Sequence, residues 1–256
     1  LLRSGRQTDE FYAARRRVIA ERGHWSGEVW NRRKNGEEFA EMLTISAVRD
    51  VQGNTQNYVA LFSDITGIKE QQSQLEHIAH FDALTNLPNR RMLEDRLNQA
   101  MATSKRNGLY GALMFLDLDN FKPLNDSHGH DAGDLVLRAV ATRWLACVRS
   151  TDTVARLGGD EFLILLSATE APVEAAVRVA QECIKALQVP IRIGDLSISV
   201  GVSIGIATTN PADSLPATAA QLVSDADVAM YQAKAEGRNR YAIHPIQSTQ
   251  EIEKHV

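Results

Sequence analysis

The chain has 256 residues, enough for one large or two ordinary domains, and 44% of them are hydrophobic, which sets it outside the disordered class. A net charge of −4 argues against a general nucleic-acid binder. No apolar stretch approaches the roughly 20 residues that cross a bilayer. Cys147 and Cys183 lie far apart in helix-like contexts, and they read as buried thiols in a reducing compartment rather than a disulfide or a metal site. The chain opens at Leu1 with no methionine and no signal-peptide pattern. That reads as an internal piece of a longer, cytoplasmic protein, with room for a membrane anchor upstream.

In chain order, residues 8–22 predict a helix, with Arg15, Arg16 and Arg17 as a solvated face. A short strand is expected from Gly27 to Asn31. Gly36 and Gly53-Asn54 then mark turns around two alternating stretches, Phe39 to Val48 and Tyr58 to Ile65. A helix followed by three antiparallel strands is half a domain. Residues 67–80 are rich in Gln and Glu and carry Ile68, Leu75 and Ile78 at helical intervals. Ile68 and Leu75 stand one heptad apart, as on a short coiled-coil seam. The competing reading is a connector helix lying on its own domain.

The remainder alternates helix and strand. Helices are expected from Arg90 to Thr103, Ala132 to Val148, Val173 to Leu187 and Ala219 to Glu236, the last capped by Gly237. Gly111 to Asp119 reads as a central strand, because its apolar run would be wasted on a surface. Ser197 to Ala207 alternates throughout. Ile198, Val200, Val202, Ile204 and Ile206 share one face, and small residues opposite them admit a close helix. A last short strand is expected from Tyr241 to His244. The pattern is α/β, a sheet containing antiparallel strands and flanked by helices.

Two acidic strand ends carry the chemistry. Asp117 and Asp119 are two apart and share one face of their strand. Carboxylates at a buried strand end are costly unless a cation compensates. Gly158-Gly159 permits a tight reversal between Val154–Leu157 and Phe162–Leu166, and leaves the backbone bare for a ligand. Asp160 and Glu161 follow at once, so the two ends together could form an all-oxygen pocket for Mg²⁺. Neither a Walker-type phosphate loop nor a Gly-x-Gly-x-x-Gly fingerprint is present. His128 and His130 are too few for a zinc site, and a local backbone role suits them better.

Five segments now combine in order: Asp82-Ala83-Leu84-Thr85-Asn86-Leu87-Pro88-Asn89-Arg90; Asp117-Leu118-Asp119-Asn120-Phe121-Lys122; Asn125 to Asp134; Arg156-Leu157-Gly158-Gly159-Asp160-Glu161-Phe162; and Ala226 to Lys234. Residues 81–246 resemble a GGDEF domain, the catalytic domain of diguanylate cyclases. The resemblance implies a palm-like, ferredoxin-related fold and condensation of two GTP into cyclic di-GMP with release of two pyrophosphates. It implies Mg²⁺ or Mn²⁺ held by Asp117, the carbonyl of Leu118, and Asp160, with Asp160 or Glu161 accepting the proton. It places phosphate contacts at Lys122, Lys234 and Arg238 beside the Gly158-Gly159 turn, and guanine contacts at Asn125 and Asp134. Arg149 and Asp152 fall at the spacing of the family's product-inhibition site, which takes cyclic di-GMP. One GTP per active site implies a homodimer. Pro123-Leu124 departs from the family pattern and is expected to stiffen a loop near guanine.

Trp25-Ser26-Gly27-Glu28, Trp30 to Glu37 and Ser63-Asp64-Ile65-Thr66 resemble the second half of a PAS domain. This divides the chain into 1–66 (partial PAS), 67–80 (linker helix), 81–246 (GGDEF) and 247–256 (polar tail). With the opening of the PAS fold missing, no haem, flavin or metabolite is expected there. The competing functions are a non-catalytic GTP or cyclic di-GMP binding module and a PAS-type interaction module. Loss of Asp117, Asp160 or Glu161 would have favoured the first, and all three are present.

Overall fold

A computed structural model of the chain describes residues 3–107, 110–208 and 218–245, and these fall into two units, one up to His77 and one from Ile78. The polar tail expected from Gln247 to Val256 lies outside the described residues. Among the described residues no helix is long and apolar enough to cross a membrane.

The first unit opens with α1 (Asp9–Arg22). The Thr8 side chain accepts a hydrogen bond from Phe11 N–H at its start, and Gly23 closes it with φ 80°. Strands β1 (His24–Arg32), β2 (Glu38–Arg49) and β3 (Thr55–Asp64) form an antiparallel sheet in chain order. The first strand is longer than the alternation predicts. Arg15 corrects the solvated-face reading of the arginine cluster. Arg16 and Arg17 are exposed, but Arg15 is half-buried with its guanidinium over the rings of Tyr12 and Trp25. Strand β3 is exposed along its whole length. Next comes α2 (Thr66–His80), the expected linker helix, and it buries none of its residues.

The second unit runs α3 (Arg90–Asn107), β4 (Tyr110–Asp119), α4 (Phe121–His128), α5 (His130–Leu145), β5 (Thr153–Gly158), β6 (Glu161–Thr169), α6 (Pro172–Gln188), β7 (Ile191–Ile193), β8 (Leu196–Ile198), β9 (Gly201–Thr208), α7 (Ala219–Ala235) and β10 (Arg240–Ile243). Five strands form one mixed sheet in the order β10-β9-β4-β6-β5. Strand β4 is central and antiparallel to both neighbours, and β10 runs parallel to β9. One face of the sheet packs Leu116, Phe162 and Ile204 with Trp144 of α5 and Cys183 of α6. The other packs Leu113 and Leu163 with Leu97 of α3 and Met230 of α7. The small-residue face of β9 does what the alternation suggests: a Cβ on Gly205 would overlap the backbone of α7 at Ala226 and Met230.

Four readings need correction. The expected loop around Pro123-Leu124 is helix α4. Phe121 is buried and Leu124 packs on the core, and Pro123 stands in the first turn, where its missing N–H has no helical acceptor to lose. The single strand expected over Ser197 to Ala207 is two strands. The β7–β8 hairpin turns at Gly194 with φ 58°, and the chain resets at Ser199-Val200 before β9. The alternation survived because Ile198 and Val200 stay buried across the break. Helix α7 is capped by Glu236, with Gly237 following at φ 117°. Both cysteines are free thiols, but only Cys183 is buried: Cys147, just past the end of α5, is half-buried, and its Sγ donates to the Arg143 carbonyl at 3.3 Å.

Candidate active site

The signature hairpin is held from behind. Arg156 lies at the end of β5, buried, and donates through Nε and Nη2 to the carbonyl of Gly159 at 3.1 and 2.7 Å. Its Nη1 donates to both oxygens of Asp82 at 2.9 and 3.1 Å. Asp82 also accepts from the Thr85 hydroxyl and backbone N–H at 2.6 and 2.9 Å. Burial alone would raise the Asp82 carboxyl, but the hydrogen bonds from Thr85 and Arg156 hold it below its usual value. Three residues thus fix a turn whose glycines have φ 146° and 52°. No role was read for Asp82, Thr85 or Arg156 in the sequence. The available signal was Asp and Thr three apart, a side-chain-to-backbone pattern.

Pairing of β4 with β6 brings Asp117 opposite Glu161, and Leu118 N–H donates to the backbone carbonyl of Asp160 at 3.3 Å. The two acidic strand ends therefore meet. Burial raises the Asp117 carboxyl, and nearby Asp160 and Asp119 add to the rise against the opposing pull of Lys234. Burial likewise raises Glu161, helped by Asp117 and Asp160. Lys234 reaches over from α7, and its Nζ lies 2.7 Å from Asp117 Oδ1. Among the described residues no three His, Cys, Asp or Glu side chains close into a cage. Two carboxylates and a carbonyl suit Mg²⁺, which usually completes its shell with water and substrate phosphates.

Asp119 takes a separate path from Asp117. It accepts from the Ser203 hydroxyl at 2.7 Å and from Asn239 N–H at 2.9 Å, tying β4 to β9 and to the turn after α7. That turn carries Arg238 and Asn239 at positive φ, 63° and 48°. Arg238 lines an open cleft of about 650 Å³ with Asn120 and Leu124 of the β4–α4 region and Ser199. Lys122 is exposed on the first turn of α4.

Asn125 points at α5. Its Oδ1 is buried and has no hydrogen-bond partner, and a Cβ on Gly133 would overlap it. Asp134, the next residue on α5, is exposed. The structure thus brings Asn125 and Asp134 to one helix junction. Arg149 and Asp152 share a tight turn after α5. Asp152 accepts from Arg149 N–H at 3.0 Å and donates its own N–H to Arg149 O at 3.0 Å, which leaves the Arg149 side chain exposed. His128 and His130 flank Gly129 at the α4–α5 junction.

Comparison with known proteins identifies the family of the second unit. The profile of the family described as "Diguanylate cyclase, GGDEF domain" matches residues 79–240. The chain is 44% identical over 176 residues to the bifunctional diguanylate cyclase/cyclic di-GMP phosphodiesterase MucR of Pseudomonas aeruginosa, covering 69% of this chain and 25% of that protein. It is 36% identical over 206 residues to the diguanylate cyclase TpbB of the same organism, covering 78% and 46%. The chain spans less than half the length of either relative. A solved structure comprising only the GGDEF domain of TpbB superposes with TM-score 0.61 at 41% identity, covering 65% of this chain and 95% of that one. The coiled coil and GGDEF domain of DgcB from Caulobacter crescentus, solved in complex with c-di-GMP, gives TM-score 0.62 at 28% identity, covering 70% and 93%. The chain belongs to the GGDEF diguanylate cyclase domain family.

Proposed function

We propose that the unit from Ile78 condenses two GTP into cyclic di-GMP, with Asp117, the Leu118 carbonyl and Asp160 as ligands of Mg²⁺ or Mn²⁺. The observation that carries this reading is the meeting of two acidic strand ends, where burial and mutual repulsion raise Asp117 and Glu161. Acids arranged so that each destabilises its neighbour are a mark of a site awaiting a cation. When bound, the ion lowers the pKa of the attacking 3′-hydroxyl and neutralises charge developing on the α-phosphate. The chain's own groups do the rest. Asp160 or Glu161 accepts the hydroxyl proton, and Arg156 keeps the Gly158-Gly159 turn open for the triphosphate. Lys122 on the first turn of α4 and Arg238 in the turn after α7 supply positive charge to the phosphates. Asn125 and Asp134, at the junction of α4 and α5, are the residues that would contact guanine. Each site holds one nucleotide, so two copies must face each other.

The exposed turn of Arg149 and Asp152 suits bound cyclic di-GMP as an inhibitor, since Arg presents a planar fork to phosphate or guanine. We further infer that residues 1–66 are the C-terminal half of a PAS domain, supported by the helix and three antiparallel strands. Residues 67–80 then form a linker helix whose exposed Ile68, Leu75 and Ile78 meet the same helix of a second copy. The cyclase unit, ending near 246, works in the cytoplasm, where GTP is found.

Incubating the purified chain with GTP and Mg²⁺ and separating the products tests the reading. Cyclic di-GMP and pyrophosphate are expected, and Asp160→Ala should lower turnover by about a thousandfold or more. Near-normal turnover in that variant would overturn the assigned ligand. In the same assay Arg149→Ala should remove inhibition by added cyclic di-GMP without changing the initial rate. An unchanged inhibition curve would reject that turn as the product site.

A further inference from the structure

Asp117 is held in this structure by a lysine, and we propose that Lys234 is an exchange counter-ion. It neutralises the carboxylate until a metal–nucleoside triphosphate complex enters, then releases Asp117 and takes up charge on the triphosphate. The proposal rests on the reading of Asp117 as a metal ligand.

The contact is direct and sheltered. Nζ stands 2.7 Å from Oδ1, with the lysine side chain 26% exposed and the aspartate 13%. Lys234 is one basic group within reach of a cluster holding Asp117, Asp160 and Glu161. Its helix is not free to retreat, because α7 packs on β9 at Gly205, where a Cβ would overlap its backbone. The exchange therefore falls to the side chain, a compact ammonium on a flexible four-carbon stem. One turn back along α7, the exposed ring of Tyr231 lies 5.7 Å from Nζ and flanks the path outward.

Charge decides the order of events. A bare divalent ion arriving at Asp117 meets an ammonium on the same carboxylate and is repelled. A metal already bound to a triphosphate brings several negative charges with it, and these give the displaced ammonium a place to go. The site is thereby selective for the complex over the free ion. Lys234 should oppose bare metal and favour nucleotide, two effects of opposite sign from one side chain. A lysine that merely supports the fold would not produce that split.

Mn²⁺ binding to the purified chain, read by electron paramagnetic resonance of the free ion, tests this without turnover. Lys234→Met should bind Mn²⁺ at least about tenfold more tightly than wild type, while Lys234→Arg stays weak. At saturating Mn²⁺, Lys234→Met should bind an α,β-methylene analogue of GTP at least about tenfold more weakly. Equal Mn²⁺ affinity in wild type and Lys234→Met overturns the exchange. If Asp117→Asn abolishes Mn²⁺ binding in that case, the metal site itself survives. Mn²⁺ binding indifferent to Asp117→Asn overturns both. Thermal unfolding checks that Lys234→Met folds, and Lys234→Gln replaces it if it does not.

Discussion

Asp64 closes β3 of the first unit, and Asp117 stands near the end of β4 in the second, yet their surroundings are opposite. Asp64 accepts from the Thr66 hydroxyl at 2.6 Å and from the Thr66 N–H at 3.0 Å, and it pairs with Arg33. Those partners, Thr66 first, hold its carboxyl down at about 2. Asp117 is half-buried beside Asp160 and Asp119 and faces one ammonium, and its carboxyl is raised. The first acid is a latch that helps the fold. The second is a charge the fold accommodates at a cost, and such a cost points to a ligand.

The comparison breaks if Asp117 proves to be structural. Asp117→Asn should lower cyclase turnover by about a thousandfold or more, the largest effect expected here. The same change should stabilise the chain in metal-free buffer. A raised carboxyl binds protons more readily folded than unfolded, so the native state gains stability as pH falls through the range just above the usual carboxylate value of about 4. Melting temperature measured between pH 7 and 5 should therefore rise on acidification in wild type and rise less in Asp117→Asn, where the raised Glu161 carboxyl keeps part of the slope. A wild type that loses stability over that interval would contradict the assignment.

Arg156 sharpens the contrast, because here burial and satisfaction coexist within the second unit. The guanidinium spends its donors on Asp82 and the Gly159 carbonyl. Arg156→Met leaves a partly buried carboxylate without its cation, at a cost of about 3 kcal/mol, or roughly 10 °C in melting temperature. It also frees the turn that presents Asp160. Turnover should fall in this variant even at temperatures where it is fully folded. Loss of activity that tracks unfolding alone would make the pair purely structural.

How much of this was readable in the sequence follows physical lines. Strands and helices with strong periodicity were legible, including the central place of β4, whose run of buried residues allows no exposed face. The acidic ends of β4 and the hairpin could be paired because both carry charge where burial is expected. Helix α4 was hidden by Pro123, a residue that breaks helices everywhere except the first turn, where it stands. The division between β8 and β9 was hidden because both sides of the break continue the same buried alternation. Arg156 and Lys234 show the limit most clearly. Each acts through a partner remote in sequence, Asp82 and Asp117, and sequence spacing carries no information on such pairs.

The smallest effect belongs to Asp64. Its hydrogen bonds to Thr66 join the end of β3 to the start of α2, where Ile65 N–H also donates to Ala40 O at 2.9 Å. Asp64→Asn loses the charge that Arg33 pairs with, but the site is exposed and such pairs contribute little. Melting temperature near pH 7 should shift only slightly. A carboxyl held near 2 supplies stability that is present above the unfolded value and lost only as pH falls toward 2. The melting curve between pH 7 and 5 should therefore keep its wild-type slope in Asp64→Asn, in contrast to Asp117→Asn. Amide hydrogen exchange is the sharper probe, since the latch closes the first turn of α2. Exchange at Thr66 to Lys69 should quicken in Asp64→Asn while β4 and β6 keep their protection. Equal quickening in both regions would mean that Asp64 stabilises more than its own strand end.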